Sequence, residues 1–320
     1  MPVYKLGSKG EEVRKIQEKL QSLGMYLGPL DGDFGGGTEG AVKLFQEREG
    51  LEVDGVVGSL TWIKLVGGGM PRPSIVYQSL DYRCLSLTGS YETGAGIPDC
   101  FAGVSGDFDG QGISFGVLQW NFGQGSLQPL LKRMFSEHPE ISRAIFHDRF
   151  DLIRSKLHGA KSELMSFARS IQHPIKHFLY EPWRGMFKSL GRTGEFQRIE
   201  VSSANSLYLA ALQLCADYGL WSERGVALMF DILVQNGSIS SVVKGQIIAD
   251  FQTVSAGVED ELEVARMRVV AKRRADAAKV RWREDVLARK LCIANGTGTV
   301  HGIPYDLADQ FGIELRRNVV

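Results

Sequence analysis

The spacing of apolar and polar positions predicts helix along most of the chain. Near the amino terminus Val13, Ile16, Leu20 and Leu23 recur on one helical face, behind Ser8-x-x-Glu11, a capping-box sequence, and ahead of Gly24 as a stop. Ala41, Val42 and Phe45 repeat that spacing, and Trp62 with Leu65 repeats it again. A helical stretch is expected over residues 74–91. Another covers residues 202–218, with Leu207, Ala211, Leu214 and Tyr218 on one face and Gly219 as the stop. A third covers residues 222–234 and ends at Asn236-Gly237. Residues 256–290 read as one long charged stretch with Val264, Met267, Ala271, Ala275 and Ala278 as its buried seam, the charges forming a solvated face. Residues 93–126 depart from this habit. They are too rich in glycine for a helix interior, and they flank short runs such as residues 113–118 that suit a small sheet or loop cluster. The fold class is therefore mainly α, with a short β or loop insert where a site is best sought.

The first 66 residues contain a repeat. Asp31-Gly32-Asp33-Phe34-Gly35-Gly36-Gly37-Thr38 and Asp54-Gly55-Val56-Val57-Gly58-Ser59-Leu60-Thr61 both read D-G-x-(apolar)-G-x-x-T. Asp-Gly suits a turn, and the Ser or Thr that follows lies where a helix would be capped. Each loop leads into a helical pattern, which predicts a compact three-helix unit. Leu6-Gly7, Gly10, Val13, Gln17, Leu20, Gly24, Asp31-Gly32, Phe34-Gly35, Thr38, Ala41-Val42, Phe45-Gln46, Asp54-Gly55, Gly58 and Thr61-Trp62 together resemble the peptidoglycan-binding module of cell-wall hydrolases. Most of these residues build turns and core. The resemblance implies a destination, bacterial wall or a similar polymer. Gly67-Gly68-Gly69 with Pro71 and Pro73 reads as a linker. The expected organisation is a module over residues 1–66, a linker over 67–73 and a larger helical domain over 74–320.

Composition narrows the partners. Lys plus Arg equals Asp plus Glu at 37 each, so no net field steers the chain to nucleic acid or an anionic membrane. Hydrophobic residues make up 43% and charged residues 23%, an ordinary globular balance. The start MPVYKLGSKGEE has no secretory-signal pattern, and no apolar run reaches the ~18–20 residues of a membrane helix. The expectation is synthesis in a host cytoplasm and action on the wall after release, without membrane insertion. Cys84, Cys100, Cys215 and Cys292 are widely spaced and predict reduced, mostly buried thiols rather than disulfides or zinc. No metal or organic cofactor is expected, and monomer is the default state for an enzyme that must move through a mesh.

Hydrolysis of a glycosidic bond needs an acid for the leaving oxygen. An inverting enzyme also needs a second carboxylate far enough away to activate a water. Glu92 ends a helical stretch in Ser90-Tyr91-Glu92-Thr93-Gly94, at the lip of the glycine-rich segment, where partial burial beside Tyr91 would favour an acid role. Asp107 and Asp109 offer the second carboxylate and Ser114 a hydroxyl for water. A glutamate at a helix end is ordinarily solvated surface, and Asp109-Gly110 is ordinarily a turn. Trp120, Asn121, Phe122, Tyr91 and Gln235 are candidates by position for contact with sugar. Trp183, Trp221 and Trp282 are expected in the core, and His301 is expected to be structural.

Glu92, the run Gly106-Asp107-Phe108-Asp109-Gly110-Gln111-Gly112-Ile113-Ser114 and Phe115-Gly116 resemble the lysozyme superfamily, most closely its chitosanase branch. That resemblance implies a lysozyme-like helical domain with Glu92 as general acid, Asp109 as general base and Ser114 in place of a water-holding threonine. Ile113 departs from the family's aromatic. Gly116-Val117-Leu118-Gln119 is similar to the G-L-M-Q of goose-type lysozymes and lytic transglycosylases, a branch in which Glu92 would work alone and Gln119 would contact sugar. Residues 230–237 resemble, more faintly, a helix bordering the cleft in these families. The leading expectation is a phage-type muramidase, an endolysin that acts on peptidoglycan by inversion. A lytic transglycosylase and a chitosanase are the enzyme alternatives. An inert wall-binding structural protein is the alternative outside enzymes.

Overall fold

The computed structural model describes residues 4–69, 74–255 and 257–318. Pro71 and Pro73 of the expected linker, and Ala256 at the head of the charged stretch, lie outside these. The chain forms two compact units, one comprising residues 1–83, 219–228 and 240–320 and the other residues 84–218 and 229–239. The fold is mainly α, as the periodicity predicts.

In the first unit, helices α1 (Glu11–Ser22), α2 (Gly36–Arg48) and α3 (Ser59–Leu65) enclose a core of Val13, Ile16, Leu20, Phe34, Val42, Phe45 and Trp62. Each Asp-Gly loop of the repeat is pinned by a buried glutamine on the helix before it. Gln17 donates to Asp31 Oδ1 and the Asp33 carbonyl, both at 2.9 Å, and accepts from Gly32 N at 2.9 Å. Gln46 makes the same set, to Asp54 Oδ1 at 2.7 Å, the Val56 carbonyl at 2.9 Å and Gly55 N at 2.8 Å. The threonines do not cap. Gly35 and Gly58 are the N-caps of α2 and α3, while Thr38 and Thr61 lie within the first turn and face Gln17 and Gln46 at 3.3 Å. The capping-box reading is likewise corrected: Gly10 is the N-cap of α1, and Ser8 accepts from Lys5 N at 3.0 Å to close the preceding turn.

The charged stretch is not one helix. The chain ends a helix at Glu259–Asp276, turns through residues 277–282 and returns in Arg283–Asn295, and the two helices lie side by side. Met267, Ala271 and Ala275 are buried as expected, whereas Val264 and Ala278 are half-buried. The turn leaves Trp282 54% exposed, against the expected core position, and brings His301 Nε2 to the Asp285 carboxylate, a partner that sequence spacing did not reveal. Glu223 is one of the buried charged residues of this unit. Arg83 bonds both its oxygens, at 2.8 and 3.0 Å, and Arg316 adds a third bond at 2.8 Å. Burial alone would raise its carboxyl, but these guanidinium groups outweigh that and hold it below the usual carboxylate range.

In the second unit the glycine-rich segment forms the small sheet its composition predicts. Strands β1 (Val104–Ser105), β2 (Ser114–Phe115) and β3 (Trp120–Asn121) pair antiparallel in the order β1-β2-β3. Phe115 points from β2 into the core, where it meets Phe187 edge-on at 5.1 Å and stacks on Phe196 at 5.2 Å. The helices around that core include Leu127–Glu137, Lys161–Ser170, Trp183–Gly191 and Gly194–Tyr218, and Trp183 is buried in it as expected. All four cysteines are buried.

Candidate functional site

Helix α4 (Leu80–Thr93) carries Glu92 in its last turn. Glu92 is exposed and Tyr91 is buried at 2% exposure, so the partly buried carboxylate expected from the sequence is instead at the surface. The end of α4 abuts the sheet. A Cβ placed on Gly103, next to β1, would lie 3.2 Å from the Thr93 methyl, and one on Gly89 would lie 2.1 Å from Val117 Cγ2. The absence of a side chain at Gly89 therefore lets the turn between β2 and β3 rest on the helix, three residues before Glu92. Thr88 Oγ1 donates to the buried Asp231 at 3.1 Å on the helix Glu223–Asn236. Glu92 lies one turn beyond Thr88, and half-buried Gln235 one turn beyond Asp231, each on the face of its bonded neighbour.

The two candidate aspartates have unlike surroundings. Asp107 is part of the scaffold. Its Oδ1 accepts from Gly112 N at 2.7 Å, its Oδ2 pairs with Arg169 at 3.1 Å, and its own N–H donates to Gln172 Oε1 at 2.7 Å. Burial acts to raise its carboxyl, but the Gly112 amide and the Arg169 guanidinium prevail and lower it. Gly106 permits this docking, since a Cβ there would lie 2.1 Å from both Gln172 Oε1 and the His177 carbonyl. Asp109 is exposed at the tip, and its Oδ1 accepts only a local bond from Gln111 N at 3.1 Å among the hydrogen bonds described. Of the two, Asp109 has the carboxylate open to water.

Ser114 is half-buried on β2, opposite Ser105 on one side and Asn121 on the other. Gln119, Trp120 and Asn121 mainly serve the insert. The Gln119 amide bonds the Gly116 carbonyl at 2.8 Å and the Gly103 carbonyl at 3.2 Å, and its oxygen accepts from Ser105 Oγ at 3.1 Å. Asn121 is 7% exposed and its Oδ1 accepts from Gln124 N at 2.8 Å. Trp120 is half-buried against the core. These bonds commit the Gln119 amide and the Asn121 oxygen to the insert's own chain.

The aromatic wall lies elsewhere. A groove of about 510 Å³ runs between β1, the insert tip and residues 177–184, lined by Ser105, Phe108, His177, Phe178, Tyr180, Glu181 and Arg184. Phe108 is 70%, Phe178 47% and Tyr180 40% exposed. Phe108 meets the His177 ring edge-on at 5.1 Å, and Phe178 meets Tyr180 at 5.9 Å. Such flat, half-wet faces suit sugar rings. None of residues 177–181 stood out in the sequence, although the run His177-Phe178-Leu179-Tyr180-Glu181 has the composition of such a wall.

Residues 9–65 match the family described as "Putative peptidoglycan binding domain". A spore cortex-lytic enzyme of Oceanobacillus iheyensis is 47% identical over 64 residues, which is 20% of this chain and 23% of that protein. The chain thus spans about a quarter of the length of that relative. The type VI secretion system spike protein VgrG3 of Vibrio cholerae is 30% identical over 145 residues, 40% of this chain and 14% of the spike protein. Among solved structures, a native chitosanase from Bacillus subtilis is similar at a TM-score of 0.41 and 16% identity, covering 68% of this chain and 88% of the other. Among the described residues no helix is long and apolar enough to cross a membrane.

Proposed function

We propose that this chain cleaves the glycan strand of peptidoglycan by hydrolysis, with residues 1–66 holding the wall and residues 74–320 carrying the chemistry. The observation that carries the reading is the company kept by one acidic insert. An exposed glutamate at the end of α4, an exposed aspartate at the tip of the sheet and an aromatic-lined groove adjoin one small glycine-rich segment, in a chain whose residues 9–65 match a wall-binding family. In this reading Glu92 protonates the glycosidic oxygen as the bond to the anomeric carbon breaks. Asp109 removes a proton from a water that Ser114 holds, and that water adds to the opposite face of the sugar, inverting the anomeric centre. The groove wall of Phe108, Phe178 and Tyr180 stacks on neighbouring sugar rings. The muramic acid linkage is the proposed target. Peptidoglycan is the proposed partner and a monomer the proposed working state.

Clearing of purified sacculi by wild type, Glu92→Gln and Asp109→Asn, with sedimentation as a measure of wall binding, tests the proposal. Loss of the acid is expected to slow clearing by roughly 10²–10⁴-fold while binding persists. Undiminished clearing by Glu92→Gln would sink the assignment. A wild type that binds sacculi and releases nothing would favour the inert wall-binding alternative.

A further inference from the structure

We propose that Glu200 is a positioning residue for this cleavage: its carboxyl holds the turn at Gly116 and Val117 and, through Val117, seats the end of α4 that carries Glu92. The inference rests on the glycosidase reading above. Glu200 lies within the long helix Gly194–Tyr218 and has 0% of its surface exposed. Its Oε1 accepts from Val117 N at 2.9 Å, while Oε2 has no hydrogen-bond partner among the described residues. Burial drives this carboxyl well above the usual range, against the smaller opposing effect of the Val117 amide, and so favours the neutral acid. A neutral acid with one unmet oxygen is a poor way to fill apolar space, because an aliphatic side chain would do so without leaving a polar atom buried. What the carboxyl adds is the acceptor.

The turn needs that acceptor. Gly116 has φ of +87° and Gln119 φ of +54°, so two of its four residues take left-handed backbone, and for Gln119 that conformation is unfavourable. A Cβ on Gly116 would lie 2.1 Å from Glu200 Oε1, which shows how closely the carboxyl is pressed to the chain. Val117, whose N–H is held, is the residue whose methyl occupies the space beside Gly89 on α4. The same hairpin carries Ser114 on β2. One buried group therefore sets both the candidate water-holding hydroxyl and the seat of the helix that ends in Glu92. Misplacement of a catalytic group by ~1 Å can lower a rate on the order of a hundredfold.

The test compares wild type, Glu200→Met and Glu200→Gln in the full chain, by amide hydrogen exchange at Val117 and by steady-state cleavage of soluble glycan fragments. Glu200→Met keeps the volume and removes the acceptor. Exchange at Val117 is expected to become roughly ten- to a hundredfold faster, the scale of one lost buried hydrogen bond. Turnover should fall about tenfold or more with KM within about twofold, since the effect acts on placement of the reacting groups rather than on binding. Glu200→Gln retains the acceptor and should restore both readouts. Unchanged protection of Val117 in Glu200→Met overturns the proposal, as does faster exchange with unchanged turnover. If Glu200→Met does not fold, Gly116→Ala breaks the same contact from the hairpin side, and intact protection there overturns it equally. A wild type inactive on glycan would sink the glycosidase reading and the catalytic half of this proposal together, while exchange at Val117 would still decide whether the carboxyl holds the turn.

Discussion

Asp107→Ala isolates the scaffold role of the first insert aspartate from the catalytic role proposed for the second. The Asp107 side chain is 11% exposed and receives Gly112 N at 2.7 Å, from a buried glycine with φ of +78°. Removing an ionised acceptor from a buried amide costs about 1.5–3 kcal/mol. The Arg169 partner is 61% exposed, so its pairing adds at most ~1 kcal/mol. An opening free energy lowered by about 2 kcal/mol corresponds to roughly thirtyfold faster exchange at Gly112. Amide exchange over residues 106–114 is the assay, run beside Asp109→Asn, whose exposed carboxylate supports only a local turn. The aspartate's lowered pKa gives a second signature. Its contribution is present above the unfolded value of ~3.9 and is lost as pH falls through the folded value, so wild type and Asp107→Ala should converge in acid. Equal protection of Gly112 in wild type and Asp107→Ala at neutral pH would refute the reasoning.

Asp109→Asn should fold normally and lose hydrolysis, read as clearing of sacculi; full activity would remove Asp109 as the base. Gln46→Leu leaves Gly55 N and the Val56 carbonyl without their partner, and should destabilise the 1–66 region by about 2–4 kcal/mol, seen as reduced retention on sacculi after mild heating and as earlier unfolding of that region. Glu200→Gln should melt above wild type at neutral and alkaline pH. The raised Glu200 carboxyl makes the folded state bind the extra proton, so wild-type stability declines as pH rises from ~4.3 towards the folded value, and the amide has no such dependence. Phe108→Ala together with Tyr180→Ala should raise KM for glycan fragments several-fold with little change in melting, because both rings are exposed; an unchanged KM would exclude the groove as a sugar site.

The elements legible in the sequence were those whose cause is local. Periodicity located α1, α2 and α3 and the helices ending at Gly219 and Gly237, because an apolar stripe and a left-handed glycine are recorded in neighbouring residues. The glycine-rich insert was legible as a break for the same reason. Features set by distant partners were not. The turn after Asp276 carries no proline or glycine, so two paired helices read as one. The glutamines that pin the repeat contact loops 8 and 14 residues away, and their role is invisible until the loops fold back. Glu200 is one of many glutamates by sequence, and only burial 83 residues from Val117 distinguishes it. Gln119 matched a sugar-binding motif, yet its amide ties the sheet together through Gly103 and Gly116. The aromatic wall at residues 177–184 becomes recognisable only when Gly106 docks on His177.

The most direct test of the central claim is mass spectrometry of the muropeptides that the wild-type protein releases from purified sacculi. Fragments with hydrated, reducing-end muramic acid are expected, absent with Glu92→Gln and with Asp109→Asn. Anhydro-muramyl ends would mean that no water is added and Asp109 is not a base, and fragments cut only in the peptide stems would contradict a glycosidase altogether.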